Sequence, residues 1–238
     1  MITALFVSVN YSDYLEVALP YNTLQFDQII VLTIESDKAC QDLCSKYSNV
    51  KCLVFPDEIL KKNGTRFNKG AIINKGFQYL NETGYQDWLV MTDSDIVFPE
   101  SFKELLLSKE KDPKVLYGMN RRYCNKRSEF IQYLHSGDVN YLGDAGCKIP
   151  FMGFCQIFIY KVDKFNYVEK YDAEMCDILF LTNFSEKFKK HIGAPGPKMF
   201  KKTLLNDPVF INLSPEDFVI HLGRSKENWK GRNTEPFV

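Results

Sequence analysis

What this sequence lacks narrows it first. It has no surplus of charge: 30 Lys and Arg stand against 30 Asp and Glu, a formal net charge of zero. That balance removes the global attraction on which nucleic-acid and anionic-membrane binding rest, so neither partner is expected. No apolar run is long enough to cross a bilayer, so no integral membrane segment is expected. The first residues, Met1-Ile2-Thr3-Ala4-Leu5-Phe6-Val7-Ser8-Val9, carry no basic leader and read as a core strand. No signal peptide or anchor is predicted from them, and a cytoplasmic location is expected. Histidine is scarce, at three residues, and the seven cysteines are an odd number without paired metal-type spacing. Cys40 and Cys44 have no second pair or His cluster to complete a zinc site, so the cysteines read as small buried hydrophobes in a reducing compartment. Repeats, low-complexity segments and linkers are missing as well. So is a glycine-rich phosphate loop after the first apolar run, where Asn10-Tyr11-Ser12-Asp13 stands instead.

What is present is an ordinary globular composition, 45% hydrophobic and 25% charged over 238 residues, enough to bury a sizeable core. Residues 3–9 read as a strand. A polar turn follows, with Ser12 or Asp13 capping a short helix that Pro20 is expected to end. Strands are predicted at 26–34 and 50–55, with an amphipathic helix near 38–48 between them, capped by Ser36 or Asp37. A helix over about 69–83 carries Ile72, Ile73, Phe77 and Leu80 on one face, and the run from Trp88 reads as a strand ending at Asp93. This strand–helix alternation predicts a mainly parallel sheet flanked by helices. The second half is less regular. Residues 120–150 read as a long functional loop region, 151–160 as a buried strand, 174–190 as a helix and 218–221 as a last short strand. One domain over 1–238 is the simplest picture, with a nucleotide-binding half at about 1–99. The acceptor-binding half and a C-terminal lid follow at about 100–238.

The chemistry concentrates in Trp88-Leu89-Val90-Met91-Thr92-Asp93-Ser94-Asp95-Ile96-Val97-Phe98-Pro99. Two carboxylates one residue apart follow a buried strand, where open α/β sheets place their ligands. Residues i and i+2 of an extended or turning backbone point the same way, so both can face one ion. Hard divalent cations take few protein oxygens and fill their shell with diphosphate and water. The pair thus reads as a metal–diphosphate site, with an Asp-rich strand cap as the alternative. Just upstream, Phe67-Asn68-Lys69-Gly70-Ala71-Ile72-Ile73-Asn74-Lys75-Gly76-Phe77 begins a helix capped by Asn68. Its N-terminus favours anions, and Asn74 and Lys75 are placed to face the same cleft. A capped amphipathic helix with a solvated lysine is the bland reading.

Taken together, the run FNKGAIINKGFQYL followed by WLVMTDSDIVFP resembles the nucleotide-sugar glycosyltransferases of the GT-A fold. The nearest groups are the β-1,4-galactosyltransferase-like and glycosyltransferase family 2-like ones. The resemblance implies an α/β fold of GT-A (Rossmann-like) type with an acceptor-side subregion, and a Mn²⁺ or Mg²⁺ cofactor. Asp95 would coordinate the metal, Asp93 the ribose or metal, and His221, on a late strand, would complete the ligand set. Asn10, Tyr11, Asp13 and Glu35 would contact the nucleoside, with Tyr11 stacking on a uracil-like base and Asp13 bonding its edge. Asn68, Lys69, Asn74, Lys75, Ser94 and Gly153 would lie on the donor, and Phe154 and Gln156 on the acceptor side. Asp177 would be the base that takes the acceptor's proton, with Glu174 and Asp172 as rivals. Arg224 and Lys226 would close over the diphosphate with Trp229 on the acceptor side, a lid that excludes water. The chain departs from the pattern in two places: Cys176 precedes Asp177 where the family carries Glu, and the first-strand loop has no arginine. Arg121-Arg122-Tyr123 and Lys126-Arg127 form a basic cluster that binds an anionic group or is simply solvated. His135 and His191 read as surface residues.

These features point to a metal-dependent transfer of sugar from a nucleoside-diphosphate sugar, with a UDP-sugar expected, to a carbohydrate or other hydroxyl acceptor. An inverting displacement is favoured. The competing readings are a sugar-nucleotide nucleotidyltransferase and a non-catalytic nucleotide- or carbohydrate-binding module.

Overall fold

A computed structural model describes residues 1–144, 150, 153–171, 173–185, 206–223, 232 and 236–237. In chain order its elements begin with β1 (Ile2–Val7), α1 (Ser12–Gln25), β2 (Gln28–Ile34), α2 (Lys38–Cys44) and β3 (Val50–Phe55). There follow α3 (Lys69–Glu82), β4 (Trp88–Asp93), β5 (Ile96–Val97), α4 (Phe102–Leu107), β6 (Leu116–Gly118), β7 (Asn120–Cys124) and α5 (Arg127–Ser136). The remainder is β8 (Gly143–Asp144), β9 (Cys155–Ile159), α6 (Ala173–Phe180), β10 (Phe210–Asn212) and β11 (Phe218–Leu222).

Seven strands form the main sheet in the order β10-β6-β9-β4-β1-β2-β3. β1 runs parallel to β2 and β4, and β2 to β3, while β9 is antiparallel to β4 and β6. The fold is therefore α/β with a mainly parallel sheet, as the alternation predicts. Both faces of β1 are covered. Leu5 and Val7 pack into one apolar cluster with Ile72, Phe77, Phe158 and Phe180. Ile2, Ala4 and Phe6 pack into the other with Leu15, Leu19, Leu43, Phe102 and Leu106. The period-two alternation of a strand assigns each side chain to its face. A strand buried on both faces loses the polar alternation and reads as a continuous apolar run.

A second sheet, β5-β11-β7-β8, lies against this frame. Its strand β5 follows β4 after only Ser94 and Asp95, so the acidic turn is the hinge between the sheets. Asn22 of α1 clamps this stretch from behind. It is fully buried, its side-chain amide donates to the Ile96 carbonyl at 2.7 Å, and the Phe98 amide donates to its Oδ1 at 3.0 Å.

Three expectations need correction. Pro20 lies inside α1 and does not end it. A proline interrupts one backbone bond, but Asn22 and Gln25 beyond it are buried and hydrogen-bonded to the chain after Asp95, and those contacts hold the last turn. The helix predicted to reach residue 48 stops at Cys44. The segment 120–150 is not one loop: it contains β7, α5 and β8, and α5 ends on Gly137 in the left-handed conformation. Strand β7 carries Asn120, Arg121 and Arg122, and its partners across the sheet, rather than its composition, make it extended.

Candidate functional site

β4 ends the main sheet at Asp93, one-third exposed, and the turn carries Ser94 and Asp95 inward, where both are buried. His221 arrives from β11. The Leu222 amide donates to the Asp95 carbonyl at 2.8 Å, fixing β11 against the turn, and His221 Nε2 lies 3.1 Å from Asp95 Oδ2. Asp95 Oδ1 and His221 Nδ1 are buried without a hydrogen-bond partner. A buried polar atom left without a partner costs about 1–3 kcal/mol. Asp95 Oδ1 is free for a further partner such as a cation, while the contact with His221 is made by the other carboxylate oxygen and the other ring nitrogen. Two ligand atoms about 2.1 Å from one ion at right angles stand about 3 Å apart, close to the 3.1 Å between His221 Nε2 and Asp95 Oδ2. The donor set of one carboxylate and one imidazole fits Mn²⁺ or Mg²⁺, with room for phosphate oxygens and water.

Asp93 is arranged differently from the expected three-ligand set. Among the described residues, no group of three or more His, Cys, Asp or Glu side chains is disposed to hold a metal ion. Asp93 Oδ1 instead accepts from Lys69 Nζ at 2.8 Å, and the same ammonium reaches Asp177 Oδ2 at 3.1 Å. The reason is electrostatic. Lys69 is buried at the start of α3, and an unpaired buried ammonium is costly, so it draws in the two nearest carboxylates. Burial works against its charge, yet Asp177 and Asp93 outweigh that and push its pKa above the ordinary lysine value.

Asp177, on α6, is the second carboxylate that Lys69 reaches. The Tyr167 hydroxyl lies 2.8 Å from Gln156 Oε1 and 3.2 Å from Asp177 Oδ1, so one phenolic proton serves both. Burial lifts the Asp177 carboxyl above the usual carboxylate range. Lys69 and Tyr167 pull it down and Asp93 adds to the rise, with burial prevailing. Gly153 makes room for this acid: a Cβ there would lie 1.9 Å from Asp177 Oδ2, so no larger residue fits without moving the carboxylate. The sequence reading has Asp177 as the base, Gly153 on the donor and Gln156 on the acceptor side, and it misses Tyr167, which carries no motif and here bonds to both Gln156 and Asp177. Of the rivals, Asp172 and the Glu174 side chain lie outside the described residues.

The other expected donor contacts divide. Asn68 caps α3, accepting from the Ala71 amide at 2.9 Å, and donates to the Lys62 and Glu169 carbonyls. Asn74 is occupied with the backbone of Tyr167, donating to its carbonyl and accepting from its amide, and with Glu169. Both hold the segment that carries Tyr167. Lys75 is exposed and donates to Gln78 one turn along its own helix. Glu35 is exposed at the end of β2, and Asp37 beside it is the α2 cap, also accepting from the Asn10 amide at 2.6 Å. Asn10 takes a positive φ of 60° there, which asparagine tolerates. Phe154 is buried, its carbonyl accepting from Thr92 at 2.7 Å. His135 is exposed.

Tyr11 does face the acids: burial and then the charges of Asp95 and Asp93 push its hydroxyl pKa upward. Asp13, expected on the base, is engaged by the chain's own tail. Arg232 forms a two-pronged pair with it, Nη1 to Oδ1 at 2.5 Å and Nη2 to Oδ2 at 2.8 Å, and the Phe237 amide donates to Oδ2 at 2.8 Å. The guanidinium also lies 5.1 Å from the ring centres of both Tyr11 and Tyr14, and Phe237 stacks on Tyr14 at 5.1 Å. Arg224, Lys226 and Trp229, together with His191, lie outside the described residues. No helix among the described residues is long and apolar enough to cross a membrane.

No protein-family model matches this chain, and no curated protein matches it. Solved structures do. The structure of S. aureus TarS 1-349 in complex with UDP-GlcNAc superposes with a TM-score of 0.58 at 12% identity, covering 98% of this chain and 62% of that one. A separate crystal structure of S. aureus TarS 1-349 gives 0.56 at 12% identity, over 93% and 60%. Glucosyl-3-phosphoglycerate synthase from Mycobacterium tuberculosis, in complex with Mn²⁺, uridine diphosphate and phosphoglyceric acid, reaches only 0.38 at 15% identity, over 67% and 55%. The first two likenesses show the fold, which is of the GT-A glycosyltransferase type. The chain spans less than two thirds of the length of these structures.

Proposed function

We propose that this chain is a metal-dependent glycosyltransferase, taking a nucleoside-diphosphate sugar, with UDP as the expected nucleotide, and glycosylating a hydroxyl with inversion. The observation that carries the reading is the touching, half-unpartnered pair Asp95–His221, at the carboxyl end of β4 and beside the Lys69–Asp93–Asp177 cluster. Ligands of open α/β sheets bind at this end. Asp95 and His221 are the residues that would hold Mn²⁺ or Mg²⁺. Such an ion, when bound, supplies Lewis-acid stabilisation of the departing diphosphate.

The chain's own residues do the rest. Lys69 answers the negative charge of Asp93 and lies at the N-terminus of α3, where anions are favoured. Tyr11, Asn10, Ser94 and Glu35 border the nucleoside side. Asp177 accepts the acceptor hydroxyl's proton while that oxygen bonds to the anomeric carbon and the bond to the diphosphate oxygen breaks. Tyr167 and Gly153 fix where that carboxylate stands.

The test is a panel of nucleotide sugars with Mn²⁺, followed by donor hydrolysis and transfer. Asp95→Asn is expected to abolish metal-dependent donor hydrolysis. Asp177→Asn should keep donor binding while transfer falls by about 10²-fold or more, the usual contribution of a general base. Donor turnover indifferent both to chelator and to Asp95→Asn would overturn the reading.

A further inference from the structure

We propose that Arg121 is an anion anchor on the acceptor side of the cleft, and that the acceptor carries a phosphate or similar oxyanion close to the hydroxyl that is glycosylated. This inference rests on the glycosyltransferase reading above and adds the chemical class of its acceptor. Arg121 lies on β7, paired with Val219 of β11, two residues before Tyr123, which pairs with His221. Alternation along the strand puts Arg121 and Tyr123 on one face, and the Tyr123 and His221 rings are 5.0 Å apart. The Arg121 guanidinium is held between two rings, 4.3 Å from the centre of Phe154 and 5.0 Å from that of Tyr123.

Among the described residues nothing neutralises the charge of Arg121. Nε is buried without a hydrogen-bond partner, and among the described residues no carboxylate pairs with this guanidinium. Stacked rings hold the plane of an arginine and leave its N–H edge to meet an oxyanion, which a planar fork binds through two parallel hydrogen bonds. The same arginine exposed on the surface would be solvated. This one is half-buried on aromatic rings beside the reaction centre.

Position favours the acceptor over the donor diphosphate. In the second sheet β11 lies between β7 and β5, so Arg121 is one strand farther from the Asp95 turn than His221 is. Its other neighbour, Phe154, follows Gly153, the residue against which Asp177 packs. Arg121 therefore touches two chain segments, the strand pair that carries His221 and the stretch whose Gly153 borders Asp177. In this reading an acceptor that delivers its proton to Asp177 is seated between these two segments.

The experiment titrates the full chain with glucose 6-phosphate and with glucose, by calorimetry, in the presence and absence of Mg²⁺ and UDP. Wild type should bind the phosphate ester at least tenfold more tightly than the neutral sugar. Arg121→Gln should erase that preference, and Arg121→Lys should retain part of it. Equal phosphate binding by wild type and Arg121→Gln, or no preference in wild type, overturns the proposal. Loss of UDP affinity in Arg121→Gln matching the loss of phosphate affinity also overturns it, because the arginine then serves the donor. Unfolding of Arg121→Gln is recognised from its circular dichroism, and Arg121→Lys then decides. If wild type fails to bind UDP with metal, the glycosyltransferase reading itself fails. The metal- and UDP-free titrations still report on Arg121 by themselves.

Discussion

At the scale of single residues the site is a balance of charges around one ammonium. Lys69 holds Asp93 and Asp177 together, yet burial still lifts Asp177 above an ordinary carboxyl. A protonated Asp177 cannot accept a proton, so kcat falls as pH drops through that raised value, and the acidic limb lies above the usual carboxylate range. The Tyr167 hydroxyl stabilises the ionised form, lowering the value. Removing it with Tyr167→Phe therefore moves the acidic limb of the kcat profile to higher pH, while the affinity for UDP stays close to that of wild type. A limb that does not move in this variant would take Asp177 out of the role of base. Cys176 sits where the resemblance led one to expect Glu. Burial first, and then the neighbouring Asp177 charge, push its thiol above the ordinary value, and it donates to the Ala173 carbonyl at 3.1 Å. It is a packed residue of α6, and Tyr167 and Lys69 are the groups that bond to Asp177.

At the scale of elements, the first-strand loop is fastened by the tail. Burial raises the Asp13 carboxyl, but the Arg232 pair and the Phe237 amide outweigh it and hold the carboxyl below its ordinary value. A depressed carboxyl contributes stability above its unfolded value and loses it as pH falls through the folded one. The tail contact is thus fully made at neutral pH and released in acid. Asp13→Asn should speed exchange of the Phe237 amide about fivefold at neutral pH, the equivalent of about 1 kcal/mol for a partly exposed pair. Unchanged exchange would show that the Tyr14–Phe237 stacking alone holds the tail. This fastening could not be read from the sequence, since Asp13 and Arg232 are 219 residues apart and neither belongs to a periodic pattern. What could be read was local. The apolar runs locate β1, β2, β3 and β4 to within two residues at each end, and the spacing in 67–77 locates α3 and its Asn68 cap. The Asp95–His221 meeting was reachable only through the family resemblance, because 126 residues separate the two. For Asn74 and Lys75 one helix face looks much like another until its packing partner is known. Here Tyr167 claims Asn74 and solvent claims Lys75.

At the scale of the whole molecule, the two sheets contribute different groups to one site. The main sheet supplies Asp93 through β4, and the second supplies His221 through β11. The Asp95 turn joins them, and α3 and α6 bring Lys69 and Asp177 from the face packed on Phe77 and Phe180. The core clusters are built separately on the two faces of the main sheet, whereas β11 is tied to the acidic turn by the Leu222 amide, a two-residue pairing with β5 and the Asp95–His221 contact. Openings that separate β11 from the turn therefore need not unfold the main sheet, and they destroy the proposed ion site. A ligand that binds only the intact site suppresses such openings by its binding free energy, about 2.7 kcal/mol at a concentration 100 times Kd. That corresponds to exchange slowed about 100-fold. With Mn²⁺ and UDP at that level, amides of Val219–Leu222 and of β7 should slow by this order, while those of β2 and β3, paired with each other through six residue pairs, should change little. Chelation should reverse the effect. Equal protection everywhere would mean that the sheets open only together, and no protection at β11 would mean that His221 takes no part in binding.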